Sequence, residues 1–361
     1  MPIDDDDRLD RARQALRDHG CQVLLVTPSA DLRYLTGYPA HALERLTCLV
    51  LPVDGEATLV VPRLERPAAE VATEGIAIVD YPDGADAWAL IPPAAGRVAV
   101  ADSMPARHLV PFQRRWPEAR WETAGPILGP LRAVKSAAEV EALAEAGAAI
   151  DRVHQRMHLW LEPGRTEAAV AADIAAAIRQ EGHATADFTI VASGPNGASP
   201  HHGSSDRVIQ AGDPVVVDIG GTMPSGYCSD CTRTYVVGAT APDDFLAYYG
   251  ALQEAQRASV AAVAPGVTAE HLDAVARDQL TAAGFGDAFL HRTGHGIGLE
   301  GHEDPYIVEG NRTPLTEGMV FSIEPGVYLT GRHGARIEDI VACTAAGPRL
   351  LNTTSTDLTY L

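Results

Sequence analysis

The 361-residue sequence is short of positive charge, with 28 Lys and Arg against 48 Asp and Glu and a formal net charge of −20. A protein that binds nucleic acid needs a Lys- and Arg-rich surface to neutralise the phosphates. Binding to an anionic membrane surface needs the same kind of patch. The composition therefore predicts neither a nucleic-acid-binding nor a membrane-binding protein.

Long apolar runs and cysteines are scarce as well. No window approaches the roughly 18 apolar residues of a transmembrane helix, and no apolar N-terminal run follows a basic segment as in an export signal. The five cysteines are an odd number and favour a reducing cytoplasm over a disulfide framework. The acidic run at residues 4–7 is predicted to be a solvated leader, because neighbouring like charges repel.

What remains is the composition of a globular protein, 46% hydrophobic and 21% charged, with a length sufficient for two domains. The first 130 residues alternate a helical pattern with apolar strand patterns at 23–26, 46–51, 58–61, 76–79 and 98–101. This alternation predicts an α/β domain with a mixed sheet and no catalytic constellation. A Gly- and Pro-rich segment at 125–132 interrupts the pattern and predicts a boundary, which gives domains 1–130 and 131–361.

The second domain repeats its own plan with an offset of 102 residues. Pro163-Gly164, Thr166 and Gly182 recur as Pro265-Gly266, Thr268 and Gly284. In each copy the Thr is placed to cap an Ala-rich helix that the later Gly ends. Another helix precedes each of these, at about 136–161 after the capping box of Ser136 and Glu139, and at about 243–263. One helix–turn–helix–hairpin unit used twice explains the pattern.

Each copy also carries two acidic residues on predicted strands. In the first copy, the apolar strand 215–217 delivers Asp218 at its end, and Asp230 lies on the returning strand. The strands of a hairpin lie side by side, so these two carboxylates converge on one face. Two apposed buried carboxylates repel each other unless a proton or a cation lies between them. The hairpin therefore predicts half of a cation site.

The second copy supplies the other half. Its apolar strand ends in Glu324, between Ile323 and Pro325, and Glu338 lies on the returning strand. Side chains alternate along a strand, so Glu338 is the predicted ligand and Asp339, which points the other way, is predicted to be structural. A duplicated unit whose halves each supply two carboxylates predicts one metal site at the junction of the halves.

A fifth ligand candidate is His295, whose flanking glycines let the backbone come close. It clusters in sequence with His291 and His302, and His201 and His202 occupy the corresponding point of the first copy. Four carboxylates and one imidazole are mostly hard oxygen ligands, which suit Mn²⁺ or Co²⁺, with Fe²⁺ or Zn²⁺ as alternatives. Their formal charge of about −4 matches two divalent ions, which together could activate water and polarise a carbonyl group.

Two other motifs are predicted to have structural roles and no role in catalysis or ligand binding. Cys228 and Cys231 have a spacing seen in zinc and redox sites, but strand alternation places them on opposite faces. They are predicted to be packing residues. The segment 194–197 is predicted to be a loop without a phosphate-binding role, because no Lys or helix start accompanies it.

The motifs together resemble the proline-specific branch of the pita-bread metallopeptidases, namely Xaa-Pro aminopeptidase and Xaa-Pro dipeptidase (prolidase). The segments that carry the resemblance are 31–37, 217–220, 226–234, 291–298, 302–303, 321–328 and 336–339. The resemblance spans nearly the whole chain. It implies an α/β (α+β) protein, with a creatinase-like N-terminal α/β domain and a pseudo-two-fold pita-bread domain.

The resemblance also implies roles for the predicted ligands. Asp218 would hold one metal ion, His295 and Glu324 would hold the other, and Asp230 and Glu338 would bridge the two. Asp218 and Asp230 are twelve residues apart, where the family usually has eleven. The hairpin tip near residues 224–225 is expected to absorb the extra residue.

Further residues would act on the substrate. By the resemblance, His201 and His302 would flank the scissile bond and Glu324 would assist proton transfer, while His291, Tyr328 and Arg336 would line or support the site. The adjacent His202 is also a candidate for substrate binding, although the spacing back from Asp218 favours His201. Family members cleave after an N-terminal residue when proline follows, and they are commonly homodimers.

Three alternatives stay open on the sequence. A creatinase-type hydrolase acts on a non-peptide C–N bond without metal, and a non-catalytic peptide-binding module could use the same scaffold. The full set of five ligand types speaks against both. A methionine aminopeptidase is disfavoured by the extra N-terminal domain of about 130 residues. The sequence does not separate a dipeptidase from an aminopeptidase.

Overall fold

The computed structural model describes residues 7–361, so residues 4–6 of the acidic run lie outside the described residues. The chain separates after Arg132 into two units, Met1–Arg132 and Ala133–Leu361. No helix within residues 7–361 combines the length and the apolar character needed to cross a membrane.

The first unit contains one six-stranded mixed sheet with helices packed on it. Its helices are α1 (Arg8–Asp18), α2 (Ala30–Thr36), α3 (Arg66–Ala72), α4 (Ala106–Arg115) and α5 (Gly125–Ala133). Its strands are β1 (Cys21–Val26), β2 (Cys48–Pro52), β3 (Thr58–Pro62), β4 (Ala77–Tyr81), β5 (Gly96–Val100) and β6 (Ala119–Thr123). The order across the sheet is β4-β3-β2-β1-β5-β6. Antiparallel β1–β2 and β2–β3 pairs beside three parallel pairs confirm the predicted mixed sheet.

The Gly- and Pro-rich segment at 125–132, where the sequence predicts a domain boundary, forms the helix α5. Pro126 occupies the first turn of α5, where a missing N–H costs nothing because no carbonyl precedes it within the helix. Ile127 and Leu128 are 3% and 1% exposed. Burial of these apolar side chains outweighs the poor helix propensity of the segment.

The second unit holds the duplicated plan. Its helices are α6 (Ala137–His154), α7 (Glu167–Gln180), α8 (Asp243–Ala261) and α9 (Ala269–Ala282). Its strands are β7 (Thr185–Ser193), β8 (Pro214–Thr222), β9 (Cys228–Val236), β10 (Gly294–Gly296), β11 (Glu303–Ile307), β12 (Val320–Ile323), β13 (Gly326–Leu329), β14 (His333–Arg336), β15 (Asp339–Thr344), β16 (Gly347–Leu350) and β17 (Thr359–Tyr360). They form sheets ordered β17-β9-β8-β7 and β11-β10-β12-β15-β16, and the pair β13-β14.

The two copies repeat each other in hydrogen bonds as well as in sequence. The amide of Gly164 donates to the carbonyl of Ile209 at 2.9 Å, and the amide of Gly266 donates to that of Leu315 at 2.8 Å. Thr166 caps α7 by accepting from the amide of Ala169. Its counterpart Thr268 is the N-cap of α9 but makes no side-chain bond. The helix–turn–helix unit is therefore used twice, as predicted.

The start of α6 agrees with the sequence prediction, but its end does not. The capping box of Ser136 and Glu139 is present at the start of α6, but α6 ends at His154 rather than near residue 161. A short 3-10 turn at Met157–Leu159 follows instead, so Pro163 does not end the helix. Met157 is 1% exposed and belongs to the core between α6, α7 and the β7–β9 sheet, and this packing explains the early change of direction.

Candidate metal centre

The hairpin of β8 and β9 brings Asp218 and Asp230 to one face. Asp218 pairs with Thr232, and Asp230 pairs with Gly220, in an unbroken antiparallel register. Diagonal neighbours two residues apart share a face of the sheet. Asp218 lies within β8, not at its end as the sequence suggested, because the strand continues through the glycines to Thr222.

Gly220 lies where the neighbouring strand and an aromatic ring leave no room for a side chain. A side chain there would place its Cβ 2.3 Å from the carbonyl oxygen of Ser229 and 2.4 Å from the ring of Phe188. Such contacts are well inside van der Waals distance. The absence of a side chain at position 220 therefore lets β8 and β9 pair closely beside Asp230 with the Phe188 ring packed against them.

The acids of the second copy sit just outside strands. Glu324 directly follows β12, Glu338 directly precedes β15, and the adjacent pair Ile323 and Asp339 is in register. Both glutamates therefore lie at the same end of the paired strands β12 and β15. Asp339 turns away from them, because its carboxylate accepts from Arg233 at 2.5 Å and from Gln256 at 2.8 Å. The structural role predicted for Asp339 agrees with these contacts.

His295 enters on β10, where its glycine neighbours allow a very close backbone approach. A Cβ on Gly294 would lie 1.9 Å from the carbonyl oxygen of Ser322. The Nδ1 atom of His295 lies 3.1 Å from the carbonyl oxygen of Gly296. A carbonyl can only accept, so Nδ1 carries the proton and Nε2 presents a lone pair. That Nε2 lies 3.3 Å from Glu324 and 3.8 Å from Asp230.

The five predicted ligands gather at one place. In three overlapping sets, the ligand atoms all lie within 4.8 Å of one another: Asp218, Asp230 and Glu338; His295, Glu324 and Glu338; Asp230, His295 and His302. Glu338 belongs to the first two sets, and Asp230 belongs to the first and third. Two residues thus connect an aspartate side of the cluster with a histidine side.

Three carboxylate oxygens in this cluster lack the partners that buried polar atoms normally have. Within residues 7–361, Asp218 Oδ1, Asp230 Oδ1 and Glu338 Oε1 are buried and accept no hydrogen bond. Burial and repulsion between the carboxylates raise the pKa of both Asp230 and Glu338 well above their usual range. Buried, unpaired charge is costly, and a divalent cation removes the cost by accepting these oxygens as ligands. The residues therefore fit a divalent metal.

A chain of hydrogen bonds supports Asp218 from behind. Arg336 donates to Asp218 Oδ2 at 2.5 Å and to the Tyr328 hydroxyl at 2.8 Å. The hydroxyl lies 2.8 Å from Nε2 of His291, whose Nδ1 faces a carbonyl 2.7 Å away. This geometry makes Tyr328 the donor to His291. His291, Tyr328 and Arg336, predicted to line or support the site, therefore act on it as one connected set.

The remaining histidines divide into two kinds. The ring centroid of His302 lies 3.8 Å from that of His295, and desolvation together with His295 and Arg292 lowers the pKa of His302 to about 4. His201 is exposed, and it lies close enough to His291 and His302 to make a small contribution to the lowered pKa of both. His202, predicted to bind substrate, turns to Glu167 instead, with its Nε2 3.0 Å from Oε2.

Three supporting residues were missed from the sequence. Glu167 binds the loop that carries His201, Asp273 accepts from the amide and hydroxyl of Thr293, two residues before His295, and Lys135 pairs with Glu303 beside His302. Each acts through a distant partner, which a local pattern does not reveal. One signal was available for Lys135, since it is the sole lysine of the chain.

The two cysteines of the β8–β9 hairpin do not belong to the site. Both are free thiols and buried. Cys231 packs in the core with Val217 and Tyr235, and burial raises the pKa of both thiols. The prediction that they are packing residues agrees with these contacts.

A cluster of carboxylates and one imidazole shared between two halves of a duplicated α/β fold defines the class of metal-dependent hydrolases. Residues 141–345 match metallopeptidase family M24, and residues 8–134 match the creatinase/prolidase N-terminal domain. The chain belongs to metallopeptidase family M24, as the resemblance predicted, and is a metallopeptidase that uses divalent metal ions.

Named relatives cover almost the whole chain. It is 52% identical over 353 residues to the "Probable dipeptidase PepE" of Mycobacterium tuberculosis, covering 96% of this chain and 93% of that protein. It is 35% identical over 361 residues to the "Xaa-Pro dipeptidase" of Lactobacillus helveticus, covering 97% and 98%. The crystal structure of a prolidase from Thermococcus sibiricus superposes with a TM-score of 0.94 at 35% identity, covering 100% of both chains.

Proposed function

We propose that this protein is a dipeptidase that hydrolyses the bond between an N-terminal residue and a following proline. The observation that carries the proposal is the convergence of five ligands with three partnerless carboxylate oxygens at one point. The names of the relatives supply the substrate class, short peptides with proline in the second position. A dipeptidase is favoured over an aminopeptidase because the relatives described above are named dipeptidases or prolidases.

We assign two divalent ions to the site. Asp218 would hold one, His295 and Glu324 would hold the other, and Asp230 and Glu338 would be shared. Support comes from the overlapping ligand sets, in which Asp230, His295 and Glu338 each occur twice, and Asp230 and Glu338 link the set that contains Asp218 to the two that contain His295. Mn²⁺ is the favoured metal for this oxygen-rich set, with Co²⁺, Zn²⁺ and Fe²⁺ as alternatives. When bound, such ions supply an activated water and a polarised carbonyl group.

The protein's own groups then orient the substrate and move the proton. His201 and His302 bind on either side of the scissile bond. The pKa of about 4 at His302 keeps its imidazole neutral at pH 7, so it is able to donate a hydrogen bond to a developing oxyanion. Glu324 would take the proton that the attacking water releases and pass it to the leaving nitrogen. The set His291, Tyr328 and Arg336 fixes the orientation of Asp218.

The proposed function also includes domain limits, an oligomeric state and a cellular compartment for the protein. The catalytic domain is assigned to residues 131–361 and the companion domain to residues 1–130. The protein is expected to be a homodimer in the cytoplasm, and five free, buried thiols are consistent with a reducing compartment. A creatinase-type reaction without metal and a non-catalytic binding role are both disfavoured by the complete ligand set.

The test is hydrolysis of an Xaa-Pro dipeptide beside an Xaa-Pro tripeptide. The protein is first dialysed against a chelator, and Mn²⁺, Co²⁺ or Zn²⁺ is then returned. We expect no turnover after dialysis, recovery with Mn²⁺, and cleavage of the dipeptide alone. Cleavage of the tripeptide would identify an aminopeptidase. Turnover that survives metal removal would contradict the metal-dependent assignment.

A further inference from the structure

Glu167, the first residue of α7, is a fully buried carboxylate with an unusual number of donors. Its two oxygens accept from six groups at 2.7 to 3.1 Å. The donors are the amides and hydroxyls of Ser193 and Ser205, the side-chain amide of Asn196 and Nε2 of His202. Its exposure is 0%. A carboxylate offers about four lone-pair positions, so this one is saturated.

The donors lie on both sides of His201, a residue of the predicted catalytic set, in the chain. Ser193 and Asn196 lie before His201 in the chain, and His202 and Ser205 lie after it. A single carboxylate therefore joins both ends of the loop 193–205. The opposite side of the loop is fixed by Arg336, which donates to the carbonyl of Pro200 at 3.3 Å.

The carboxylate is ionised. Burial raises the pKa of Glu167, but the hydrogen bonds from Ser193, Ser205 and Asn196 outweigh burial and leave the pKa below its usual range. Hydrogen bonds to an ionised acceptor are about twice as strong as neutral ones. The loop is thus bound by charge-assisted hydrogen bonds at four of its residues.

The second copy of the fold shows that the helix start does not require this carboxylate. The counterpart of Glu167, 102 residues later, is the buried Ala269. The same backbone bond forms in both copies, from Glu167 N to the carbonyl of Arg207 and from Ala269 N to that of Thr313, each at 3.0 Å. The first copy therefore has a carboxylate beneath the loop that carries His201, whereas the second copy, whose corresponding segment carries His302, has none at the equivalent helix start.

We propose that Glu167 is a positioning residue for catalysis, which closes the loop 193–205 so that His201 faces the metal centre. The proposal rests on the proposed function, in which His201 binds the substrate at the scissile bond. It assigns His202 to the support of the loop rather than to the substrate. Glu167 itself touches neither substrate nor metal ligand.

The direct test is Glu167→Gln, which keeps the shape but replaces one acceptor oxygen with a donor NH₂ facing other donors. We expect kcat for an Xaa-Pro dipeptide to fall about 10- to 100-fold, because misplacement of a catalytic group by an ångström has effects of this size. Amide hydrogen exchange should accelerate at least about tenfold at Ser193 and Ser205. Calorimetric titration of the metal-free protein with Mn²⁺ should give a Kd within about threefold of the wild type.

A matched control is Asp151→Asn. Asp151 is 2% exposed and likewise accepts several donors, including the amide of Thr353 at 2.5 Å and the hydroxyl of Thr354 at 2.9 Å. It supports the C-terminal segment and not the histidine loop. We expect a lower Tm in both variants but a lower kcat only in Glu167→Gln. An equal loss of kcat in the two would overturn the proposal.

A double-mutant cycle shows whether Glu167 acts through His201. If it does, Glu167→Gln should lower kcat by less than about threefold in a His201→Ala background. A full additive loss there would refute the positioning role. Should Glu167→Gln fail to fold, Ser205→Ala removes a single donor hydroxyl and is expected to lower kcat about two- to fivefold, again only when His201 is present.

The outcomes also separate this proposal from the proposed function. A wild-type protein that fails to cleave Xaa-Pro peptides would reject the function, whatever the loop does. Normal wild-type turnover with unchanged kcat in Glu167→Gln would reject the positioning role alone. Unchanged hydrogen exchange at Ser193 and Ser205 in that variant would also reject it, because the carboxylate would then not hold the loop.

Discussion

The two halves of the second unit bring equal numbers of carboxylates to the metal centre by different routes. The first half uses the short side chains of Asp218 and Asp230, which project from within two paired nine-residue strands. The second half uses the longer side chains of Glu324 and Glu338, which lie just beyond strand ends. We infer that side-chain length compensates for the different positions of the backbone. A duplicated backbone plan therefore conserves the meeting point of the oxygens rather than the residue type.

The halves also hold their histidines by different chemistry. His201 lies in a loop that a single carboxylate, Glu167, joins through six hydrogen-bond donors. His302 precedes Glu303, which forms a buried ion pair with Lys135 at 2.7 Å, with side chains 7% and 1% exposed. The first device depends on many hydrogen bonds and the second on one charge pair. The consequences of removing each should therefore differ in kind.

The largest effect is expected at the residue that both sides of the cluster share. Glu338→Ala should lose bound metal and at least about 10³-fold in kcat/KM together, because it removes an oxygen from two ligand sets. Metal content by mass spectrometry and steady-state kinetics check this. The neighbouring Asp339→Asn is the control, since it should retain metal while losing about 3 kcal/mol of stability as Arg233 loses its anionic partner. Wild-type metal content in Glu338→Ala would refute its ligand role.

Removal of the charge pair tests the difference between the two histidine supports. Lys135→Met leaves the Glu303 carboxylate without its cation, and breaking a buried pair costs about 3–5 kcal/mol. Chemical denaturation should show this loss, together with a lower kcat as His302 moves. The double variant Lys135→Met/Glu303→Gln should recover part of the stability, because no buried charge remains unpaired. If the double variant is no more stable than Lys135→Met, the pair does not act as a unit.

The candidate metal ligands could be found from the sequence, whereas the residues that support them could not. The acids were found because each lies at the end of an apolar strand or on the strand that returns from it, and the histidine because glycines flank it, all of which are local patterns. Glu167 and Lys135 were missed because their partners lie 26 or more residues away. The helical Gly- and Pro-rich segment at α5 was missed for a related reason, since burial of Ile127 and Leu128 outweighed local propensity.

A longer side chain at position 218 tests whether the length of each carboxylate side chain is matched to its backbone position. Asp218→Glu extends a side chain that starts within a strand, so its oxygens overreach the cluster by about one C–C bond. We expect kcat/KM to fall about 100-fold with the fold intact, since the Thr232 pairing is a backbone contact. Circular dichroism and kinetics measure both. Tolerance of this change would mean that length compensation does not determine the residue type.

The smallest effect concerns equivalent positions on the first helix of each half. His154 on α6 and Gln256 on α8 are 102 residues apart, and both bond inward, His154 to Tyr235 and the carbonyl of Cys231, and Gln256 to Asp339. Burial, with a smaller contribution from Arg233, lowers the pKa of His154 from 6.5 to about 3. The first half therefore has an ionisable group at this position, whereas the second half has a neutral amide.

The sign of the pH dependence follows from the lowered pKa. Below pH 6.5 the unfolded chain binds a proton at His154, whereas the folded protein does not. The contribution of His154 to the free energy of unfolding is therefore fully present above pH 6.5 and is lost as the pH falls toward 3. The loss attributable to His154 approaches about 1 kcal/mol per pH unit. His154→Gln copies the second half and removes the titration, so the difference in unfolding free energy between wild type and variant should shrink from pH 6.5 to pH 4.5. A constant difference over this range would show that His154 is protonated in the folded protein, and that the two helices differ in residue type without differing in electrostatics.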